Sequence, residues 1–212
     1  MRIPEIRKMI KKALDDEKRT GRLANTVRSV ARRNGNRPNE EQIAGVVTFV
    51  TEYVQQVPYY LEQSIAKARQ VGMVREMTQM MSELEVYWFE GGDFIPDNLG
   101  LLGIMDDAYA SLSLLQAVSD FCTNTMGRPL LAENITPANQ AIRQLIGEPT
   151  ASQIDQHVAL KLPQTLLQQL VGQIAAGNLA FGSLPPFWGQ QAVDNYELER
   201  YVDIQLGAMG VV

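Results

Sequence analysis

Four aspartates close together in the chain, Asp93, Asp97, Asp106 and Asp107, hold the most chemical potential, and Glu90 is nearby. Together they supply enough hard carboxylate oxygens for Mg²⁺ or Ca²⁺. Two carboxylates in different surroundings can also divide the roles of acid and base. A divalent-cation site serving a metal-dependent hydrolase is therefore one reading. The spacing lacks the alternating Asp/Asn register of an EF-hand loop, and no histidine, lysine or serine stands among the carboxylates. The competing reading is structural. Asp106 would cap the following helix, and Asp107 would add negative charge where the helix dipole favours it.

Other site chemistry is sparse. His157 is the only histidine and Cys122 the only cysteine. That excludes an intramolecular disulfide, and zinc sites built from several histidines or several cysteines. His157 reads as a surface or half-buried residue on a short helix, and Cys122, in an apolar run, as a buried inert thiol. Gly172, Gly177 and Gly182 lack the lysine and the strand of a phosphate-binding loop.

Charge is the stronger signal. Residues 1–37 hold 12 Lys or Arg against 4 Asp or Glu, a net +8, and the remainder carries −13. Such asymmetry marks an interaction arm joined to an acidic body, here residues 1–37 and 38–212. Arg7, Lys8, Lys11, Lys12, Arg28, Arg32 and Arg33 are its candidate contact residues. Three partners suit them. Nucleic acid would be held through phosphates, without specific reading, because the arm has no aromatic residue to stack on bases. An anionic membrane surface suits a basic amphipathic helix, although tryptophan and phenylalanine anchors are missing. A protein surface is the third, either this chain's own acidic body or that of another copy.

The elements that carry these residues are helical by period. Ile3, Ile6, Ile10, Ala13 and Leu14, then Leu23, Val27, Val30 and Ala31, recur at three and four residues. Thr20-Gly21 divides the arm into two helices or one kinked helix, and residues 34–38 form a stop and turn. Asn39 to Gln42 reads as a capping box opening a helix through Ile43, Val46, Val50, Val54 and Val57, which Pro58 should kink or break. Residues 71–89 form a third helix with Met73, Met77, Met80, Met81, Leu84 and Trp88 on one face, a stripe that reads as core. Asp107 to Thr123 is apolar on nearly every side and belongs in the middle of a bundle. Thr136 reads as N-cap with Pro137 following, and Gly147 as the stop. Further helices are expected near 152–160, 163–176 and 193–206. No charged residue occurs between Lys161 and Asp194; its amides and prolines argue against a membrane span and for packing or an interface.

Asp93-Phe94-Ile95-Pro96-Asp97, then Gly103 and Asp106-Asp107 before an apolar helix, resembles the YkvA-like domain of unknown function found widely in bacteria. The likeness covers about residues 86–118 and rests on Asp93, Ile95, Pro96, Asp97, Gly103, Asp106 and Asp107. Gly91 and Gly100 stand where the family often has proline. The resemblance implies a small helical domain, near membranes in some members, with no established catalytic activity.

The expectation is an all-α bundle of about seven or eight helices with a basic N-terminal arm. Its function is expected to be non-enzymatic interaction or assembly, the arm engaging an acidic protein surface such as another copy. No cofactor is required by this function. The opening residues alternate basic and apolar instead of forming a secretory signal, so the expected setting is cytoplasmic, reducing, and open to the membrane surface.

Overall fold

The computed structural model describes residues 1–33, 35–70, 74–89, 94–126, 129, 131, 133–161, 168 and 172, apart from the side chains of 70, 76, 97, 122, 125, 126 and 161. Among these residues there are seven α-helices, one 3₁₀ turn and no strand. The helices are α1 (Ile3–Thr20), α2 (Arg22–Arg33), α3 (Glu40–Gln70), α4 (Val74–Phe89), α5 (Met105–Met126), α6 (Thr136–Ile146) and α7 (Thr150–Lys161), with the 3₁₀ turn at Asp97–Leu99 between α4 and α5. The all-α bundle is what forms.

Two helices organise the rest. α3 touches α1, α2, α4 and α5, and α5 touches α3, α4, α6 and α7. Both are apolar around much of their circumference, which suits a helix with neighbours on several sides. Val46, Val50, Tyr53, Val54, Val57, Tyr60 and Leu61 of α3 are wholly buried. Of the two outcomes expected at Pro58, a kink or a break, the break does not occur: α3 runs on through it for 31 residues. The lost hydrogen bond and ring clash cost about 3 kcal/mol. Each fully buried side chain on either side returns about 1.5–3 kcal/mol, so packing wins.

The basic arm does not stand apart. Ile3, Ile6, Ile10 and Ala13 of α1, and Leu23, Val27 and Ala31 of α2, belong to the same buried cluster as α3 and α5. Gly21 separates the two helices in the left-handed conformation (φ +59°), and its N–H bonds the Glu17 carbonyl at 2.7 Å. The buried Glu17 carboxylate then crosses the corner and accepts the N–H groups of Leu23 (2.9 Å) and Ala24 (3.3 Å). It thereby satisfies orphan donors at the start of α2. At the start of α3 the expected capping box is present: Gln42 N–H donates to Asn39 Oδ1 and Asn39 N–H to Gln42 Oε1, both at 2.8 Å.

Polar bonds between buried side chains fix the register of the other helices. Tyr53 of α3 donates to Asn139 of α6 at 2.7 Å, and Trp88 of α4 donates to Ser111 of α5 at 2.9 Å. On α5, Gln116 and Ser119 accept the N–H groups of Ile135 and Leu131, holding the approach to α6. Thr136 is not the cap of α6, as its residue type suggested. It is the first helical residue, Ile135 holds the cap position without a side-chain bond, and the Thr136 N–H donates to Asn134 Oδ1 at 3.0 Å. Met77, Met80, Met81, Leu84 and Trp88 are buried, so the methionine stripe is core. Met73, the helices expected at 163–176 and 193–206, the Cys122 side chain and most of the charge-free stretch lie outside the described residues.

If α1 is part of the core, Ile6→Ala should lower stability by about 2–5 kcal/mol in chemical denaturation, whereas an independent arm would leave the main transition unmoved. Burial pushes the phenols of Tyr53, Tyr60, Tyr87 and Tyr109 up from their ordinary value. A raised folded-state value stabilises the fold below the unfolded value, about pH 10, and that contribution is lost as pH rises further. Four of the seven tyrosines should therefore yield phenolate absorbance only as helical circular dichroism collapses.

Candidate functional site

Two of the four aspartates of the α4–α5 connection have side chains among the described residues. Asp106 and Asp107 are fully buried in the first turn of α5, which begins at Met105. Asp106 is therefore not the N-cap. Its Oδ2 instead accepts the Ile95 N–H at 3.1 Å and the Tyr87 hydroxyl at 3.2 Å, tying the connection to α4. Burial, then the charges of Asp106 and Asp107, push the Tyr87 phenol up, so it remains a donor. Asp93 and the side chain of Asp97 lie outside the described residues. Among the described residues no three of His, Cys, Asp or Glu gather as a metal-holding group.

His157 is half-buried on α7, its ring 5.3 Å from Tyr87 and 6.4 Å from Phe94. The lone histidine thus joins the packing around the connection. Farther along the bundle Arg143 binds Asp155, Ser152 and Glu148, while Tyr109 donates to Asp155, which couples α5, α6 and α7.

The basic residues divide into two sets. Arg7 pairs with Glu62 of α3 at 2.8 Å, and Arg28 grips Glu40 of α3 through both carboxylate oxygens. Arg2 binds Glu85 of α4 and stands 3.9 Å over the Phe89 ring. Part of the arm's charge is therefore answered by the acidic body of the same chain. Exposed pairs of this kind contribute at most about 1 kcal/mol each, so they orient the arm more than they hold it. Lys8, Lys11, Lys12, Arg32 and Arg33 are exposed and make no ion pair with a described residue.

Lys8, Lys11 and Lys12 meet at one place, a groove of about 820 Å³ between α1 and the turn that leads into α5. Met9, Ala13 and Ile104 form its apolar part, Arg19 and Arg22 its far end, and Asn98 and Gly100 the opposite wall. Arg32 and Arg33 are not part of it. The periodic reading of the arm did not single out Arg19 or Arg22; Arg19 shares the face of α1 that carries Lys8 and Lys12, and Arg22 is brought back towards the turn by the left-handed corner at Gly21.

Asp16 clamps the two walls together. Its Oδ1 accepts from Arg19 at 2.6 Å, and its Oδ2 lies 3.9 Å from Arg22, whose guanidinium also donates to the Asn98 carbonyl. The Arg19 hydrogen bond, with the charges of Arg22, Arg19 and Lys12 behind it, holds the Asp16 carboxyl below its ordinary value, against burial. Gly100 is what allows the approach. Its φ is +68°, and a methyl group there would stand 2.7 Å from Asp16 Oδ2. Gly100 thus combines a left-handed φ with a close approach that any side chain would obstruct. Gly103 serves differently: its N–H donates to the Gly100 carbonyl at 3.0 Å.

No protein-family model, curated protein or solved structure matches the chain. The likeness of residues 86–118 to the YkvA-like pattern therefore rests on those residues alone.

Gly100→Ala should cost about 1–3 kcal/mol, from left-handed strain and displacement of Asp16. In an Asp16→Ala background the displacement vanishes and only the strain remains, so the alanine should cost measurably less. Equal losses in both backgrounds, read by denaturation, would show that Asp16 does not pack on Gly100.

Proposed function

We propose that the protein is a non-enzymatic interaction or assembly module whose basic groove docks an acidic protein surface. One observation carries this: three exposed lysines line a single concave site while the apolar face of the same helix is buried in the chain's own core. A basic amphipathic helix lies in a membrane interface by inserting its apolar face. In α1 that face is already occupied by α3, which argues against the membrane reading. Single-stranded nucleic acid gains affinity from bases stacked on aromatic platforms, and none lines the groove, which leaves it phosphate contacts alone.

The lysines suit protein carboxylates well. Their long flexible stems let the ammonium groups adapt to acids at varied spacing. The alternative of a hydrolase using Asp93, Asp97, Asp106 and Asp107 is less well supported, because Asp106 and Asp107 are fully buried and Asp106 bonds the Ile95 backbone and Tyr87.

Fluorescence anisotropy with labelled poly-glutamate tests the proposal. Lys8→Glu/Lys11→Glu/Lys12→Glu should weaken binding by about tenfold or more, with a steep salt dependence, while Arg32→Glu/Arg33→Glu changes it by less than about threefold. If both variants bind as the unaltered chain does, the groove is not the docking site. Preference for anionic vesicles or random duplex over poly-glutamate, abolished by the lysine substitutions, would replace the protein partner with a membrane or a nucleic acid.

A further inference from the structure

The groove has a charge balance that something in the chain itself can meet. Lys8, Lys11, Lys12, Arg19 and Arg22 face Asp15 and Asp16, a net +3. Residues 193–206, outside the described residues, carry Asp194, Glu197, Glu199 and Asp203 against Arg200, a net −3. Apolar residues are interleaved among those acids, Tyr196, Leu198, Tyr201 and Val202. The groove offers the same combination in complement, cations along a helix face with Met9, Ala13 and Ile104 between them.

Reach is sufficient. Thirty-one residues separate Lys161, where α7 ends, from Val193. They span at most roughly 100 Å at about 3.3–3.6 Å each, and still roughly 45 Å at the helical rise of about 1.5 Å each that residues 168 and 172 adopt, about three times the radius of about 15 Å expected for a body of 161 residues. Tethering also gives the segment a high effective concentration at the groove, which falls only as about the −3/2 power of tether length. A free partner at ordinary cellular concentration competes against that advantage.

We propose that the acidic segment 193–206 occupies the basic groove of its own chain, as an internal competitor for the acidic partner. The inference rests on the groove's being a docking site for acidic protein. An incoming partner must displace the segment, so affinity for partners is set by the difference between two carboxylate-rich occupants. A change that weakens the internal one then opens the site.

The test uses the full chain with Asp194→Asn, Glu197→Gln, Glu199→Gln and Asp203→Asn combined. This variant should bind labelled poly-glutamate about tenfold more tightly than the unaltered chain, and adding the Lys8, Lys11 and Lys12 reversals should erase the gain. In the unaltered chain, zero-length carbodiimide crosslinking should join a groove lysine to Glu197, Glu199 or Asp203 within species of monomer mass. Crosslinks found without any poly-glutamate binding would leave the internal contact standing and remove only the external partner. Equal affinities with no such crosslink would overturn the inference. Crosslinks confined to dimer mass and appearing only at high protein concentration would overturn it too, by making the occupant a second copy.

Discussion

Burial of the isoleucine face of α1 against α3 is the contact on which the remaining arrangement depends. Ile3, Ile6 and Ile10 are spaced so that one stripe of an otherwise highly charged helix meets the core. Once that stripe is fixed, the rotation of α1 about its own axis is fixed as well. Its cations then have settled directions: Arg7 towards Glu62, and Lys8, Lys11 and Lys12 towards the turn before α5. The burial of three isoleucines outweighs any of the surface ion pairs several-fold. The charges therefore inherit their positions from the apolar residues.

The corner at Gly21 extends the same control to α2. A left-handed residue turns the chain, and the Glu17 carboxylate caps the new helix across the turn. Arg22 is thereby delivered to the Asn98 carbonyl and brought near Asp16, so the start of α2 is tied to the α4–α5 connection. That connection is anchored from below by Asp106, which holds the Ile95 backbone and Tyr87. Groove wall and buried carboxylate are thus parts of one connection. Of the aspartates that looked like chemistry in isolation, Asp106 ties the connection that carries the groove wall to α4.

Several local features were legible because their causes are local. The capping box at Asn39 and Gln42, the stop at Gly147 and the helical period of α1 and α2 each follow from a few neighbouring residues. Elsewhere long-range packing overruled a local preference. Pro58 stays within α3 because its neighbours are buried, and Thr136 gives the cap position of α6 to Ile135, which is itself wholly buried. Asp106, two residues after the turn, is drawn inward by Ile95 and Tyr87, and no periodicity in the sequence could indicate either partner.

By itself the sequence determined that the chain is helical, that its first 37 residues are strongly basic, and that each basic helix has an apolar side. These properties follow from period and composition, which short-range physics reads directly. Only the tertiary structure decided that the apolar side is covered by the same chain, that Arg7 and Arg28 are answered by Glu62 and Glu40, and that Lys8, Lys11 and Lys12 share a groove with Arg19 and Arg22. The reason is that an ion pair or a groove wall joins residues of different elements, 12 positions apart for Arg28 and Glu40 and 55 for Arg7 and Glu62, and their meeting depends on how whole helices pack.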